Sequence, residues 1–479
     1  MLGRYRQPLT MSVLLFVSDV DGEPLASSPL AASLAKQSDS GWTLDPTTVE
    51  PFATVLVDHR SRLERETVAF LRSALEDHPE VDAVIGDAIV GGERQLRPAY
   101  SPTRLAGAPT ELDLLAIRGH APHGSLTARL DTISRLHPSV VAHLPAPLLH
   151  REDEDDDVND SLTSDPATRL GTGHPPLTPI EQATFVIPTA GARHPDGRRL
   201  VEQAIQAAEG CGLPLVEILL VVGDEFDGDP ADLERSGLRI IERGEPWNFS
   251  VAVNQGLLEA EHDTIVLLND DIEMIEPGWA RPLVTHLRDP EVALVGAALL
   301  YPDRTVQHIG IVIDDAVPLH AHACARLDDL APTLRKPREV AAVTAACAVG
   351  RRRNLLAVGG LNEALPANFN DVDLCFKLQR TAGRVVIDPT IPLVHHESAS
   401  REPVIEAWEW ERFVSRWGEV IDPWYHPGHH RPDDPSDRRR NADGLAPSNP
   451  DGRWPLRTPT IRSQVHRARL QPPTNPSQG

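Results

Sequence analysis

Thr264-Ile-Val-Leu-Leu-Asn269-Asp270-Asp271-Ile-Glu273 decides how this chain is read. Five residues with no polar side chain beyond one threonine form a run short enough for a strand and apolar enough to be buried on both faces. Three polar residues follow it at once. Upstream, Ala183-Thr-Phe-Val-Ile187 is a β-rich run ended by Pro188, and Val216-Glu-Ile-Leu-Leu-Val-Val222 and Leu238-Arg-Ile-Ile-Glu242 repeat the pattern. Helical stretches at about 198–210 and 250–261 separate these runs. Strand and helix in alternation predict an α/β fold, an open, mostly parallel sheet with helices on both faces. Ligands of such sheets bind beyond the carboxyl ends of the strands, so polar residues placed directly after apolar runs are the candidates for chemistry.

A chain of 479 residues is too long for one ordinary core, and two domains with linkers are expected. The 46 Lys and Arg stand against 70 Asp and Glu, a formal charge of −24 that argues against a nucleic-acid binder. It leaves room for a nucleotide, because a bound metal ion can supply local positive charge. Cys211, Cys324, Cys347 and Cys375 are scattered without a CxxC pair, which fits buried thiols rather than a disulfide framework or a zinc cluster. Met11-Ser-Val-Leu-Leu-Phe-Val17 is soon followed by Asp19 and Asp21, too short for a signal peptide. No run reaches the roughly 18 apolar residues of a membrane span, and a cytoplasmic protein is expected. Residues 151–180 begin Arg151-Glu-Asp-Glu-Asp-Asp-Asp157 and read as an acidic flexible linker, and residues 426–479 as a disordered tail. His426, His429 and His430 at its start read as solvated rather than as a metal site.

Three constellations carry chemistry. Asp270 and Asp271 on the turn after the strand suit a hard divalent cation that bridges two phosphates, though an acidic pair there serves equally as a turn or helix cap. Asn368-Phe-Asn-Asp371-Val-Asp373-Leu opens an amphipathic helix whose apolar stripe is Val372, Leu374 and Leu378. Asp371 either caps that helix or acts as a general base, with Asp373 binding an acceptor or supporting the base. Val394-His395-His396-Glu397-Ser-Ala-Ser-Arg401 follows the strand-like residues 384–387 and the turn Asp388-Pro389, and an imidazole there would complete a metal site.

With these blocks in order, residues 181–401 resemble the family-2 glycosyltransferases of the GT-A fold, especially bacterial rhamnosyltransferases and galactofuranosyltransferases. The resemblance is carried by Phe185-Val-Ile-Pro-Thr189, Trp247-Asn-Phe-Ser-Val-Ala-Val-Asn-Gln-Gly256, Leu267-Leu-Asn-Asp-Asp-Ile-Glu273 and Val306-Gln-His-Ile-Gly310. Thr344-Ala-Ala-Cys347, Val358-Gly-Gly-Leu-Asn362, Phe369-Asn-Asp-Val-Asp-Leu374 and His395-His-Glu-Ser-Ala-Ser-Arg401 complete it. It implies a catalytic GT-A domain over 181–425 that inverts the anomeric centre by direct displacement. It implies that Thr189, Asp224, Asn254 and Asp270 contact the nucleotide sugar, and that Asp271 with His395 or His396 holds Mn²⁺ or Mg²⁺. Asp371 matches the base, and Asp373 falls to the acceptor. The donor would be dTDP-rhamnose or a UDP-sugar such as UDP-galactofuranose. The acceptor would be a cell-envelope polysaccharide or a lipid-linked glycan, reached by peripheral association with the inner face of the plasma membrane or with other glycan-assembly enzymes. Val222-Gly-Asp224-Glu-Phe226 departs from the family's Asp-Asn-x-Ser, and Asn269 replaces the first acid of the metal motif.

Residues 1–150 resemble a worn copy of the same family. Phe52-Ala-Thr-Val-Leu-Val-Asp58-His-Arg60 stands where an active domain reads Leu-Leu-Asp-His-Asp-Asp. Val84-Ile-Gly-Asp87, Arg97-Pro-Ala-Tyr-Ser-Pro102 and His143-Leu-Pro-Ala-Pro-Leu-Leu-His150 fit the later blocks. Arg60 puts a fixed cation where a metal would sit, so this half is expected to be non-catalytic. That lineage also sets the alternative for the whole chain: a catalytically silent scaffold or carbohydrate-binding subunit.

Overall fold

The computed structural model describes residues 15–19, 28–40, 42–44, 52–58, 60–79, 81–90, 93–95, 114–119, 141–151, 179–193, 197, 199–223, 226, 229–233, 235, 237–243, 247–314, 317–330, 332–381, 383–396, 407–417, 422 and 424. These divide into two compact units, one running through residue 151 and the other starting at residue 179. The interior of the acidic linker, the 426–479 tail with its three histidines, Asp224 and residues 397–401 lie outside the described residues. Among the described residues no helix is long and apolar enough to cross a membrane.

In the first unit the strands are β1 (Leu15–Asp19), β2 (Trp42–Thr43), β3 (Ala53–Val57), β4 (Arg62–Leu63), β5 (Ala83–Val90), β6 (Glu93–Gln95), β7 (Leu114–Arg118) and β8 (Val141–Arg151). They form one sheet in the order β2-β1-β3-β7-β5-β8-β4, with β6 on β5. All five residues of β3 are buried. Helix α1 (Thr67–Asp77) adds Val68, Leu71 and Leu75 to the cluster containing Val55, Val57, Val84 and Leu114.

The second unit holds β9 (Gln182–Thr189), β10 (Leu215–Val222), β11 (Leu238–Glu242), β12 (Thr264–Leu268), β13 (Ile272–Met274), β14 (Val292–Leu300) and β15 (Val306–His308). After these come the hairpin β16 (Ile311–Asp314) and β17 (Val317–His320), then β18 (Arg338–Glu339), β19 (Cys347–Arg351) and β20 (Arg384–His395). The sheet order is β11-β10-β9-β12-β19-β14-β20-β13. It is parallel through β12 and mixed beyond, because β19 enters antiparallel between β12 and β14. The expected α/β class, two-sided helical cover and mostly parallel sheet hold: β14 and β20 again run with β12, and in the strand order only β19 and β13 run against the rest.

Alternation along β12 explains why its whole run is apolar. Val266 and Leu268 join one core cluster and Ile265 and Leu267 the other, so both faces are covered. Helix α2 (Leu200–Glu209) covers the first face through Val201, Ala204, Ile205 and Ala208. Helices α3 (Phe249–Glu259) and α4 (Asn370–Thr381) cover the second. Gly256 lets α3 lie directly on β9, since a Cβ there would meet Val186 Cγ1 at 2.3 Å.

Strand for strand, the first sheet repeats the second. β2, β1, β3, β7, β5, β8 and β4 occupy the places of β10, β9, β12, β19, β14, β20 and β13, with the same direction at every pairing. β6 hangs antiparallel on β5 as β15 hangs on β14. Register extends the parallel: Arg62 faces His150 where Ile272 faces His395. Among the described residues of the first unit, β11 has no counterpart.

Candidate functional site

Neighbouring parallel strands end at the same edge, and this brings Thr189 of β9 to the turn after β12. The Thr189 hydroxyl donates to Asp270 Oδ2 at 2.6 Å and accepts from the Gly191 N–H at 2.9 Å. Both side chains are buried. Burial first, and then the adjacent Asp271 charge, push the Asp270 carboxyl up to about 7.

Asp271 is 4% exposed. Pairing of β13 with β20 lays Ile272 against His395 and so sets the imidazole beside this carboxylate, while the His396 N–H donates to the Asp271 carbonyl at 3.0 Å. His395 Nε2 stands 3.1 Å from Asp271 Oδ1, close enough for an ion pair. The alignment does not make a hydrogen bond, however, and Oδ1 is buried with no hydrogen-bond partner. The other ring nitrogen, Nδ1, lies 2.6 Å from Gln307 Oε1. An amide oxygen can only accept, so Nδ1 carries a hydrogen, and Gln307 fixes the ring with Nε2 toward Asp271. Asn269 Oδ1 on the same turn is also buried without a hydrogen-bond partner.

A buried carboxylate oxygen beside an imidazole that an outer amide orients is a pair of groups that a cation can take as ligands. Among the described residues no three His, Cys, Asp or Glu side chains are grouped to hold a metal ion. Mg²⁺-type sites that act on diphosphates need fewer, because substrate phosphates and water fill the remaining positions. Asp271 and His395 would fit as two protein ligands of a divalent cation.

Asp371 lies half-buried in the first turn of α4, where its Oδ1 accepts from the Val372 N–H at 2.8 Å. Burial raises its carboxyl above the usual range, opposed by that N–H, by His320 and by Thr344 and Ala345. Between Asp371 and the metal-type donors stands a pair that sequence reasoning gave no role. His308, at the end of β15, is fully buried, and its Nδ1 is 3.1 Å from Nδ1 of His320 on the hairpin. The Thr344 N–H donates to His308 Nε2 at 3.4 Å. Burial first, then its neighbours His320, Arg338 and His395, hold His308 well below the usual imidazole range. It is neutral, carries its hydrogen on Nδ1 and donates it to His320. The block Val306-Gln-His-Ile-Gly310 was the available signal for Gln307 and His308; His320 gave none.

Three expected site residues are committed elsewhere. Asn254 spends its amide on the loop after β19: Nδ2 donates to the Leu361 carbonyl and to Glu363 Oε1, both at 3.0 Å, and Oδ1 accepts from the Leu361 N–H at 2.8 Å. Both amide hydrogens and one lone pair of the oxygen are thus spent within the protein. Asp373 is fully buried, with Trp417 Nε1 donating to Oδ1 at 2.9 Å, Arg416 Nε 2.9 Å from the same oxygen and Lys377 Nζ 3.2 Å from the other. No surface of Asp373 remains there for an acceptor sugar. His396 turns to Glu273 Oε2 at 2.9 Å, so of the two histidines it is His395 that faces Asp271.

Comparison with known proteins matches residues 184–356 to the model of glycosyl transferase family 2. The match lies wholly within the second unit. The matched span contains Asp270, Asp271, Gln307 and His308 and ends before Asp371 and His395. The uncharacterized protein y4gI of Sinorhizobium fredii is 38% identical over 168 residues, 34% of this chain and 18% of that protein. The O-antigen biosynthesis protein RfbC of Myxococcus xanthus is 33% identical over 194 residues, 38% of this chain and 15% of that protein. The chain thus spans under a fifth of either relative's length. Among solved structures, GalNAc-T7 with UDP, GalNAc and Mn²⁺ is similar at a TM-score of 0.38, with 13% identity over 49% of this chain and 48% of that one.

Proposed function

We propose that the glycosyltransferase domain moves a sugar from a nucleotide-diphosphate donor to a cell-envelope polysaccharide or lipid-linked glycan, with inversion and with a divalent cation. The observation that carries this reading is the buried Asp271 Oδ1 facing a His395 Nε2 whose ring is oriented by Gln307. Asp371 takes the proton of the acceptor hydroxyl as that oxygen bonds to the anomeric carbon. The bond from that carbon to the diphosphate breaks, and its electron pair leaves with the nucleotide. A carboxylate raised by burial is the better base for this step, since its affinity for the proton is higher. Mn²⁺ or Mg²⁺ held by Asp271 and His395 supplies positive charge against the departing diphosphate. Thr189 and Asp270 line the donor side of the crevice.

An O-antigen relative supports the envelope-glycan acceptor class, and the sequence blocks support dTDP-rhamnose or UDP-galactofuranose as first donors to try. Such an acceptor implies work at the cytoplasmic face of the plasma membrane, beside other glycan-assembly enzymes. The first unit is read as a non-catalytic copy, supported by its repeated strand order and by the Asp58–Arg60 pair. The test is a panel of dTDP- and UDP-sugars with the purified chain and Mn²⁺ or Mg²⁺, reading release of the nucleoside diphosphate. Release that needs the metal is expected; none across the panel, with glycan acceptors supplied, is what a silent scaffold would give.

A further inference from the structure

Helix α5 (Ala407–Trp417) lies beyond the span matched to the family, yet it holds the chain on both sides of Asp371. Glu409 is 1% exposed, and its Oε1 accepts from the N–H groups of Ala367 at 3.1 Å and Asn368 at 3.0 Å. Asn368 Nδ2 donates to Oε2 at 2.6 Å. One residue further, Phe369 has a φ of +61°, a left-handed conformation that a phenylalanine keeps only when its surroundings impose it. Its ring stacks on Phe413 with centroids 5.1 Å apart and leans on Trp410 at 5.5 Å. Past Asp371, Trp417 and Arg416 of the same helix hold Asp373.

We infer that Glu409 is a positioning residue for Asp371, with α5 fixing the loop 367–369 so that the carboxylate enters α4 at a set place. A buried carboxylate accepting three N–H groups is a strong clamp, and a misplacement of about 1 Å at a reacting group costs about 100-fold in rate. The inference rests on reading Asp371 as the base, and the experiment separates the two.

Turnover, donor KM and the pH profile are measured on the full chain carrying Glu409→Ala, Glu409→Gln, Asn368→Asp or Asp371→Asn. Glu409→Ala is expected to lower kcat about 10- to 100-fold with donor KM kept. Its acid limb should move down as Asp371 gains water; His320, the titratable neighbour acting on Asp371, is the same in every variant. Glu409→Gln should recover most of kcat, because its carbonyl oxygen can accept both backbone N–H groups and the Asn368 amide can turn to accept from its NH₂. Should Glu409→Ala not fold, Asn368→Asp probes the same contact from the loop by opposing two carboxylates, and it must also lower kcat. Parental kcat and acid limb in folded Glu409→Ala, or full kcat in Asn368→Asp, overturn the inference while Asp371→Asn stays dead. Turnover in Asp371→Asn overturns the base assignment itself.

Discussion

In the first unit the turn after β3 closes on itself: Arg60 Nη2 is 2.6 Å from Asp58 Oδ2, and the Arg60 N–H donates to Asp58 Oδ1 at 2.8 Å. In the second unit the turn after β12, at the same place in the same strand order, leaves Asp271 Oδ1 without a hydrogen bond. The histidines at matched register differ in kind too. His150 is bonded to the carboxylate of Glu64 and is half-exposed, whereas His395 is buried between the Gln307 amide and the Asp271 carboxylate. Apolar alternation holds both sheets without any of these acids, so the architecture can persist while one turn and one partner decide whether a cation fits.

The largest effect that separates the units concerns the base. Asp371→Asn is expected to lower transfer about 10² to 10⁴-fold with donor binding kept, while Asp58→Asn leaves turnover at the parental rate. Since the carboxylate form is the active one and burial raises Asp371, the acid limb of kcat/KM should lie above the ordinary carboxylate range, with the rate rising as pH rises through it. Equal losses from both variants would break the division of labour. Next, Gln307→Ala frees the His395 ring and should weaken the Mn²⁺ dependence about 10- to 100-fold, read as the metal concentration for half-maximal turnover. An unchanged titration would detach Gln307 from the metal. Smaller still, Arg60→Ala leaves the mostly buried Asp58 without its guanidinium. It should cost about 1 to 2 kcal/mol in denaturant unfolding, with no change in turnover. A drop in metal-dependent turnover there would give the first unit a part in the chemistry.

Much of this was legible beforehand because strands advertise themselves. Ala183 to Ile187, Val216 to Val222 and Thr264 to Leu268 each fall in an observed strand, since apolar runs of that length have few other fates. The antiparallel entry of β19 was not, because Cys347-Ala-Val-Gly-Arg351 carries no mark of direction. Asp270, Asp271 and His395 were visible as polar residues after apolar runs, and the structure sets them together. The partners that Asn254 and Asp373 find inside the protein were not legible for one reason: sequence spacing places a residue on a helix without saying what already faces it. The partners, Leu361 and Glu363 in one case and Arg416 and Trp417 in the other, are about 100 and 40 residues away. His320 depends on the β16–β17 hairpin meeting His308, a tertiary contact with no local signature.

Asp270 gives the finest test of how the turns differ. Its carboxyl is raised from 3.8 to about 7, so its contribution to stability is fully present below the lower value and is lost as pH rises through the upper one. The metal-free protein should therefore weaken between about pH 4 and pH 7 as this buried charge forms beside Asp271. Asp270→Asn keeps an acceptor for the Thr189 hydroxyl and removes the charge. Relative to the parent it should be stabilised on the order of 1 kcal/mol at pH 8 and little changed at pH 4, read from melting curves in chelator. Added Mn²⁺ should shrink the difference by stabilising the parent, because a cation against Asp271 makes the neighbouring carboxylate less costly. Melting curves that stay parallel from pH 4 to pH 8 would mean that the turn carries no stored repulsion. It would then resemble its self-neutralised counterpart at Asp58–Arg60 more closely than the open Asp271 oxygen implies.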